Sequence, residues 1–90
     1  MLSVMVTRLG VEPERGKRIR QTQGATIRNV RTLRGLSIHD FAHAVGVTDG
    51  AVSQWETGRF TPRQEVQVRI AEVLNVPWST IFGLDSQVVV

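Results

Sequence analysis

The sequence predicts a single all-α domain built from five helices. Its 90 residues leave room for one hydrophobic core. Apolar residues recur at three- and four-residue spacing from position 27 to position 82, as on the buried faces of amphipathic helices. Residues that begin or end helices punctuate the same segment. We therefore divide the chain into an N-terminal extension with a basic arm (1–24), a helical domain (25–83) and a C-terminal tail (84–90).

The first helix of the domain is predicted from an apolar stripe that Gly35 is expected to end: Ile27, Val30 and Leu33. On its N-terminal side, four residues are expected to interrupt any long helix: Gly10, Pro13, Gly16 and Gly24. Residues 2–7 and 88–90 are rich in β-branched side chains. Both ends are therefore candidates for short β segments, and frayed ends are the alternative.

The second and third helices have the clearest signals. Ser37 is a good N-cap for a helix over 38–45, and Gly46 follows as its C-terminal stop. Thr48 is the next N-cap, and a helix is predicted behind it over 49–57. Two short helices joined by a tight turn that contains glycine are typical of a helix-turn-helix.

The fourth helix is predicted to begin with Thr61 as its N-cap. Pro62 would then occupy the first helical position, and Gln64 would complete a capping box. Pro77 interrupts the pattern, and a short fifth helix is predicted over 78–82.

The charge distribution indicates a nucleic-acid partner. Eleven basic residues face eight acidic ones, for a net charge of +3. Seven of the basic residues fall between positions 15 and 34, where no acidic residue occurs: Arg15, Lys17, Arg18, Arg20, Arg28, Arg31 and Arg34. Such a segment attracts phosphate backbones, although a solvated basic face without a partner is an equal alternative on charge alone.

Composition excludes other classes of protein. The chain has no cysteine, so it holds no disulfide and no thiolate zinc site. No run approaches the ~18 apolar residues of a membrane span, and the first residues lack the features of a secretory signal. His39 and His43 share a helical face, but two ligands without a third do not make a metal site. We expect a cytoplasmic protein that is not an enzyme and needs no cofactor or metal.

From Ile27 to Phe82 the sequence resembles the helix-turn-helix domain of the lambda-repressor, Cro and xenobiotic-response-element regulators. Three segments carry most of the resemblance: 31–37 (RTLRGLS), 45–48 (VGVT) and 51–58 (AVSQWETG). The resemblance implies a five-helix lambda-repressor-like fold and binding to double-stranded DNA. It also implies that helix 49–57 is the recognition helix and lies in the major groove.

The resemblance assigns roles to individual residues. Four residues of the recognition helix are expected to face base edges: Asp49, Gly50, Ser53 and Gln54. Gln54 could bond adenine in a bidentate manner, whereas Asp49 could equally serve only to favour the helix start. Five residues are expected at the DNA backbone: Thr48, Arg59, Arg28, Arg18 and Arg20. Residues 15–20 are further expected to act as an arm in the minor groove.

The resemblance also implies a structural ion pair between Arg31 and Glu56, and Trp55 is expected in the core. The sequence departs from the family pattern at four positions. Ile38 and Gly50 stand where many relatives carry contacting side chains, and Gln64 and Gln67 stand at positions that are often apolar.

We interpret the chain as a sequence-specific transcription regulator, phage repressor-like or Cro-like, that occupies an operator as a homodimer. The alternative is an antitoxin that neutralises a toxin and regulates its own transcription through the same motif. That function would need a protein interface, for which the apolar ends and Phe60 are candidates. A helix-turn-helix used only for protein contact is a third hypothesis, which the basic segment disfavours.

Overall fold

The computed structural model describes residues 2–83, with side chains described from residue 14 onward. Within this range the chain forms five helices and no strand: α1 (Leu2–Leu33), α2 (Ile38–Val45), α3 (Asp49–Glu56), α4 (Gln64–Leu74) and α5 (Trp78–Phe82). The prediction of an all-α domain of five helices is confirmed.

The prediction of a strand over residues 2–7 is wrong, because α1 begins at Leu2 and continues unbroken for 32 residues. It passes through the four expected interruptions and through the predicted boundary at residue 24. A strand would need a second strand to receive its backbone hydrogen bonds, and none occurs within residues 2–83. A helix satisfies those bonds within its own segment. The β-prone residues 88–90 lie outside the described residues.

Side-chain caps fix the starts of α2 and α3 as predicted. The backbone N–H of Asp40 donates to Ser37 Oγ at 3.0 Å, and that of Ala51 donates to Thr48 Oγ1 at 3.1 Å. Gly46 ends α2 in the left-handed conformation, with φ of 87°. Such a φ is disfavoured for residues with a Cβ, so glycine is required by this turn.

The start of α4 differs from the prediction. The helix begins at Gln64, and its N-cap is Arg63, which makes no side-chain capping bond. The expected cap, Thr61, instead donates its hydroxyl to Gln23 Oε1 at 3.4 Å. Gln67 donates from its side-chain Nε2 to the carbonyl of Pro62 at 2.9 Å, which holds the preceding loop against the first turn of α4. A hydrogen bond to α1 and one between α4 and its preceding loop therefore take the place of the local capping box.

One core joins all five helices. Its fully buried side chains include Ile27 on α1, Phe41 on α2, Val52 on α3, Ile70 on α4 and Ile81 on α5. Trp55 also lies in this core, as predicted, with 7% of its surface exposed. No buried polar side-chain atom among the described residues lacks a hydrogen-bond partner. The core therefore holds α3 without leaving any of these buried polar atoms short of a hydrogen bond.

Gly24 is a contact point between helices rather than a break in α1. A Cβ at this position would lie 2.1 Å from the carbonyl oxygen of Trp55 and 2.8 Å from that of Glu56. The absence of a side chain thus lets α1 touch the C-terminal end of α3 directly. The closeness of this crossing sets how α3 sits on the domain.

Candidate nucleic-acid interface

The turn between α2 and α3 fixes the angle of the two helices. The N–H groups of Gly46 and Val47 both donate to the carbonyl of Ala42, at 2.8 and 2.9 Å. Val47 is half-buried and packs against the core. Because the turn is tied to α2 by hydrogen bonds and to the core by Val47, α3 is held at a defined orientation.

The two sides of α3 have different environments. Val52 and Trp55 are buried beneath the helix. All four residues expected to face bases are exposed, and their positions fall on one side of α3: Asp49, Gly50, Ser53 and Gln54. This side combines a carboxylate, a hydroxyl, a carboxamide and, at Gly50, backbone that no side chain covers. It offers donors and acceptors of the kind that read base edges.

His39 adds a contact that the sequence analysis did not predict. Its Nδ1 lies 3.3 Å from both carboxylate oxygens of Asp49 and thus joins the first turns of α2 and α3. Both side chains are exposed, so this pair contributes little to stability. His43 is exposed too, and the described residues contain no group of ligands that could hold a metal.

Arg31 and Glu56 tie α1 to the C-terminal end of α3. Arg31 Nε donates to Glu56 Oε2 at 2.6 Å, and Nη2 donates to Oε1 at 3.1 Å. The remaining Nη1 donates to the carbonyl of Leu36 at 2.7 Å, in the loop that leads to α2. The hydrogen bond to Glu56 raises the pKa of Arg31, against the smaller opposing effect of burial. The Arg31 guanidinium therefore connects α1 to the C-terminal end of α3 and to the loop before α2.

The basic residues expected at a nucleic-acid backbone occupy three settings. Arg59 is exposed in the loop after α3, and Arg18 and Arg28 are exposed on α1. Arg20 instead turns inward and donates from Nε to the carbonyl of Gly58 at 3.1 Å. The basic arm expected over residues 15–20 is part of α1, so it is a helical surface rather than an extended chain.

Two departures from the family pattern have structural explanations. Ile38 is half-buried and packs against the core, so an apolar side chain suits that position. Gln67 accepts from Trp78 Nε1 at 2.9 Å while it donates to the carbonyl of Pro62. It therefore links the loop before α4 to α5, which an apolar residue cannot do.

A family comparison identifies this arrangement of α2, turn and α3. Residues 27–81, more than half of the chain, match the helix-turn-helix family. The chain belongs to that family. The resemblance inferred from the sequence is thereby confirmed. No helix within residues 2–83 is long and apolar enough to cross a membrane.

Solved structures of similar proteins agree with this assignment. The clp gene regulator ClgR from Corynebacterium glutamicum is 25% identical, with a TM-score of 0.67 over 70% of this chain and 67% of that one. An HTH_3 family transcriptional regulator from Vibrio cholerae is 27% identical, with a TM-score of 0.69 over 81% of this chain. The helix-turn-helix protein described here spans 41% of that second regulator. Among curated protein sequences, none matches this chain.

Proposed function

We propose that this helix-turn-helix protein is a sequence-specific regulator of transcription that occupies an operator through α3. The observation that carries the proposal is the exposed side of α3, held by the buried Val52 and Trp55 and by the pair of Arg31 with Glu56. The similar structures named as regulators support the same conclusion.

In this proposal α3 lies in the major groove and its exposed side chains read bases. Gln54 is suited to adenine, whose N6 and N7 match a carboxamide, and Ser53 can donate or accept. Asp49 would accept from a cytosine amino group. The contact of its carboxylate oxygens with His39 Nδ1, at 3.3 Å, holds this side chain at the start of α3.

Backbone contacts would flank the recognition helix. Thr48 and the first N–H groups of α3 would meet one phosphate, since a helix N-terminus favours an anion. Arg59 would meet another from the loop after α3, and the exposed Arg28 and Arg18 extend the basic surface along α1.

We further propose that the protein binds DNA as a homodimer. One recognition helix reads only a few base pairs, and two copies can read half-sites about 34 Å apart on one side of the duplex.

The test is to expose purified protein to a pool of random duplexes near physiological salt and to sequence what stays bound. An inverted repeat with fixed spacing is expected. Loss of all binding as salt rises, without an enriched sequence, would contradict specific readout; co-purification of a second protein would favour the antitoxin function.

Ser53→Ala and Gln54→Ala should each weaken binding to the selected duplex by about 1–3 kcal/mol, because each removes a contact to a base edge. Each variant should lose discrimination at one base-pair position. For a duplex already altered at that position, the variant and the parent protein should therefore bind with nearly equal affinity. Ser79→Ala is the matched control, since Ser79 is an exposed helical serine on α5. Equal affinity of all three variants and the parent protein would show that this side of α3 is not the reading surface.

Gly50→Ala should change stability and DNA affinity in opposite directions. The nearest atom to an added Cβ is Thr48 Oγ1 at 3.9 Å, so alanine fits and should raise the free energy of unfolding by about 0.5–1 kcal/mol. We expect weaker DNA binding because the backbone approaches the groove at this glycine. Denaturant titration and the selected duplex measure the two effects. An unchanged or improved affinity would contradict the close approach.

A further inference from the structure

The middle of α1 packs against the loop that follows α3. Gln21 contacts Gly58 so closely that a Cβ on the glycine would lie 2.6 Å from Gln21 Cγ. Arg20 donates to the carbonyl of Gly58, and Gln23 accepts from Thr61. These three α1 residues precede the segment 27–81 that matches the family. The α1 side of this contact therefore lies outside the matched segment.

The peptide unit between Gly58 and Arg59 is held from both of its sides. The N–H of Arg59 donates to the carbonyl of Gln54 at 2.9 Å, at the end of α3. The carbonyl of the same peptide unit accepts from Arg20 Nε at 3.1 Å. Gly58 is buried and has φ of 79°, a conformation that a residue with a Cβ rarely adopts. The point from which the Arg59 side chain leaves the backbone is therefore fixed by α3 and α1 together.

We infer that Arg20 is a positioning residue for DNA binding, which orients Arg59 toward a phosphate by holding the Gly58 carbonyl. This inference rests on the proposed function. Arg20 is only partly exposed and its Nε is engaged within the protein, whereas Arg59 is exposed. Arg20 acts through Arg59 in this arrangement rather than as a separate phosphate contact.

The first test needs no DNA and follows trypsin cleavage after Arg59 in the folded protein. Without Arg20 the buried carbonyl of Gly58 loses its donor, so the loop should open more often. Arg20→Gln should therefore raise the cleavage rate after Arg59 by about tenfold relative to the rate after Arg69, which lies within α4 and reports wider opening. Arg18→Gln, which removes the same charge from an exposed position on α1, should leave this ratio unchanged.

The second test uses the duplex recovered from the random pool and a double-mutant cycle. Arg20→Gln should weaken binding about tenfold in the parent protein but less than about twofold in the Arg59→Gln background, because its effect passes through Arg59. Arg18→Gln should have the same effect in both backgrounds.

The outcomes separate the inference from the proposed function. An unchanged cleavage ratio for Arg20→Gln would overturn the positioning role whether or not DNA binds. A raised ratio combined with additive binding losses would also overturn it, since Arg20 would then contact DNA independently of Arg59. Failure to recover any duplex would remove the proposed function, and the cleavage ratio would still decide whether Arg20 fixes the loop.

Discussion

Replacing Glu56 with alanine is expected to lower the free energy of unfolding by about 3–5 kcal/mol, because it leaves the buried charge of Arg31 without its partner. The two side chains are only 11% and 7% exposed, so water cannot replace the lost hydrogen bonds. A domain of this size has a total stability of about 5–15 kcal/mol. The variant should therefore be close to unfolding at moderate temperature.

The pair also orients α3. It joins α1 to the C-terminal end of α3, and Arg31 additionally bonds the carbonyl of Leu36 before α2. We expect Glu56→Ala to weaken DNA binding even under conditions where the protein remains folded. Since the pKa of Arg31 is raised in the folded protein, its share of the stability is complete below the range in which free guanidinium groups titrate, and it is lost only in strongly alkaline solution as the pH rises through the folded pKa.

Denaturant titration measures this effect, with Glu72→Ala as the control, because Glu72 is exposed on α4. That control should change the free energy of unfolding by no more than about 0.5 kcal/mol. Replacing both partners, as in Arg31→Met with Glu56→Leu, should recover much of the loss, since no buried charge then remains. A loss below about 1 kcal/mol for Glu56→Ala would mean that the pair behaves like an exposed one.

Gly24→Ala is expected to have the second large effect, a loss of about 3 kcal/mol or more, at the upper end of overpacking costs. The new Cβ would lie 2.1 Å from the carbonyl oxygen of Trp55, and backbone atoms of Glu56 lie within 2.9 Å. Backbone cannot move aside as a flexible side chain can. The crossing of α1 and α3 must therefore open, which weakens the packing of Trp55 and the pair of Arg31 with Glu56.

Gly16→Ala provides a matched control in the same helix. Its nearest contact is Arg20 Nη1 at 3.4 Å, which is the far end of a flexible side chain. Alanine should therefore raise the free energy of unfolding by about 0.5–1 kcal/mol through better helix propensity. Opposite signs for the two variants in denaturant titration are the expected result. If Gly24→Ala were also stabilising, the close crossing of α1 and α3 would be incorrect.

The local signals in the sequence predicted α2 and α3 accurately because each signal acts within a few residues. Ser37 and Thr48 each bond an N–H three positions ahead, and Gly46 takes the left-handed conformation where its helix ends. The same reasoning failed at Thr61. Its hydroxyl found a partner 38 positions away on α1, and no local rule contains that information.

The sequence by itself determined that residues 27–82 are helical, where the helix-turn-helix lies and which side of α3 is exposed, because periodicity and caps are properties of neighbouring residues. The ion pair of Arg31 with Glu56 was expected only through the family resemblance. Tertiary structure alone decided that α1 continues through Gly24 and that Arg20 meets Gly58, 38 positions away. Both follow from how closely two helices approach, and that distance depends on the packing of the whole core.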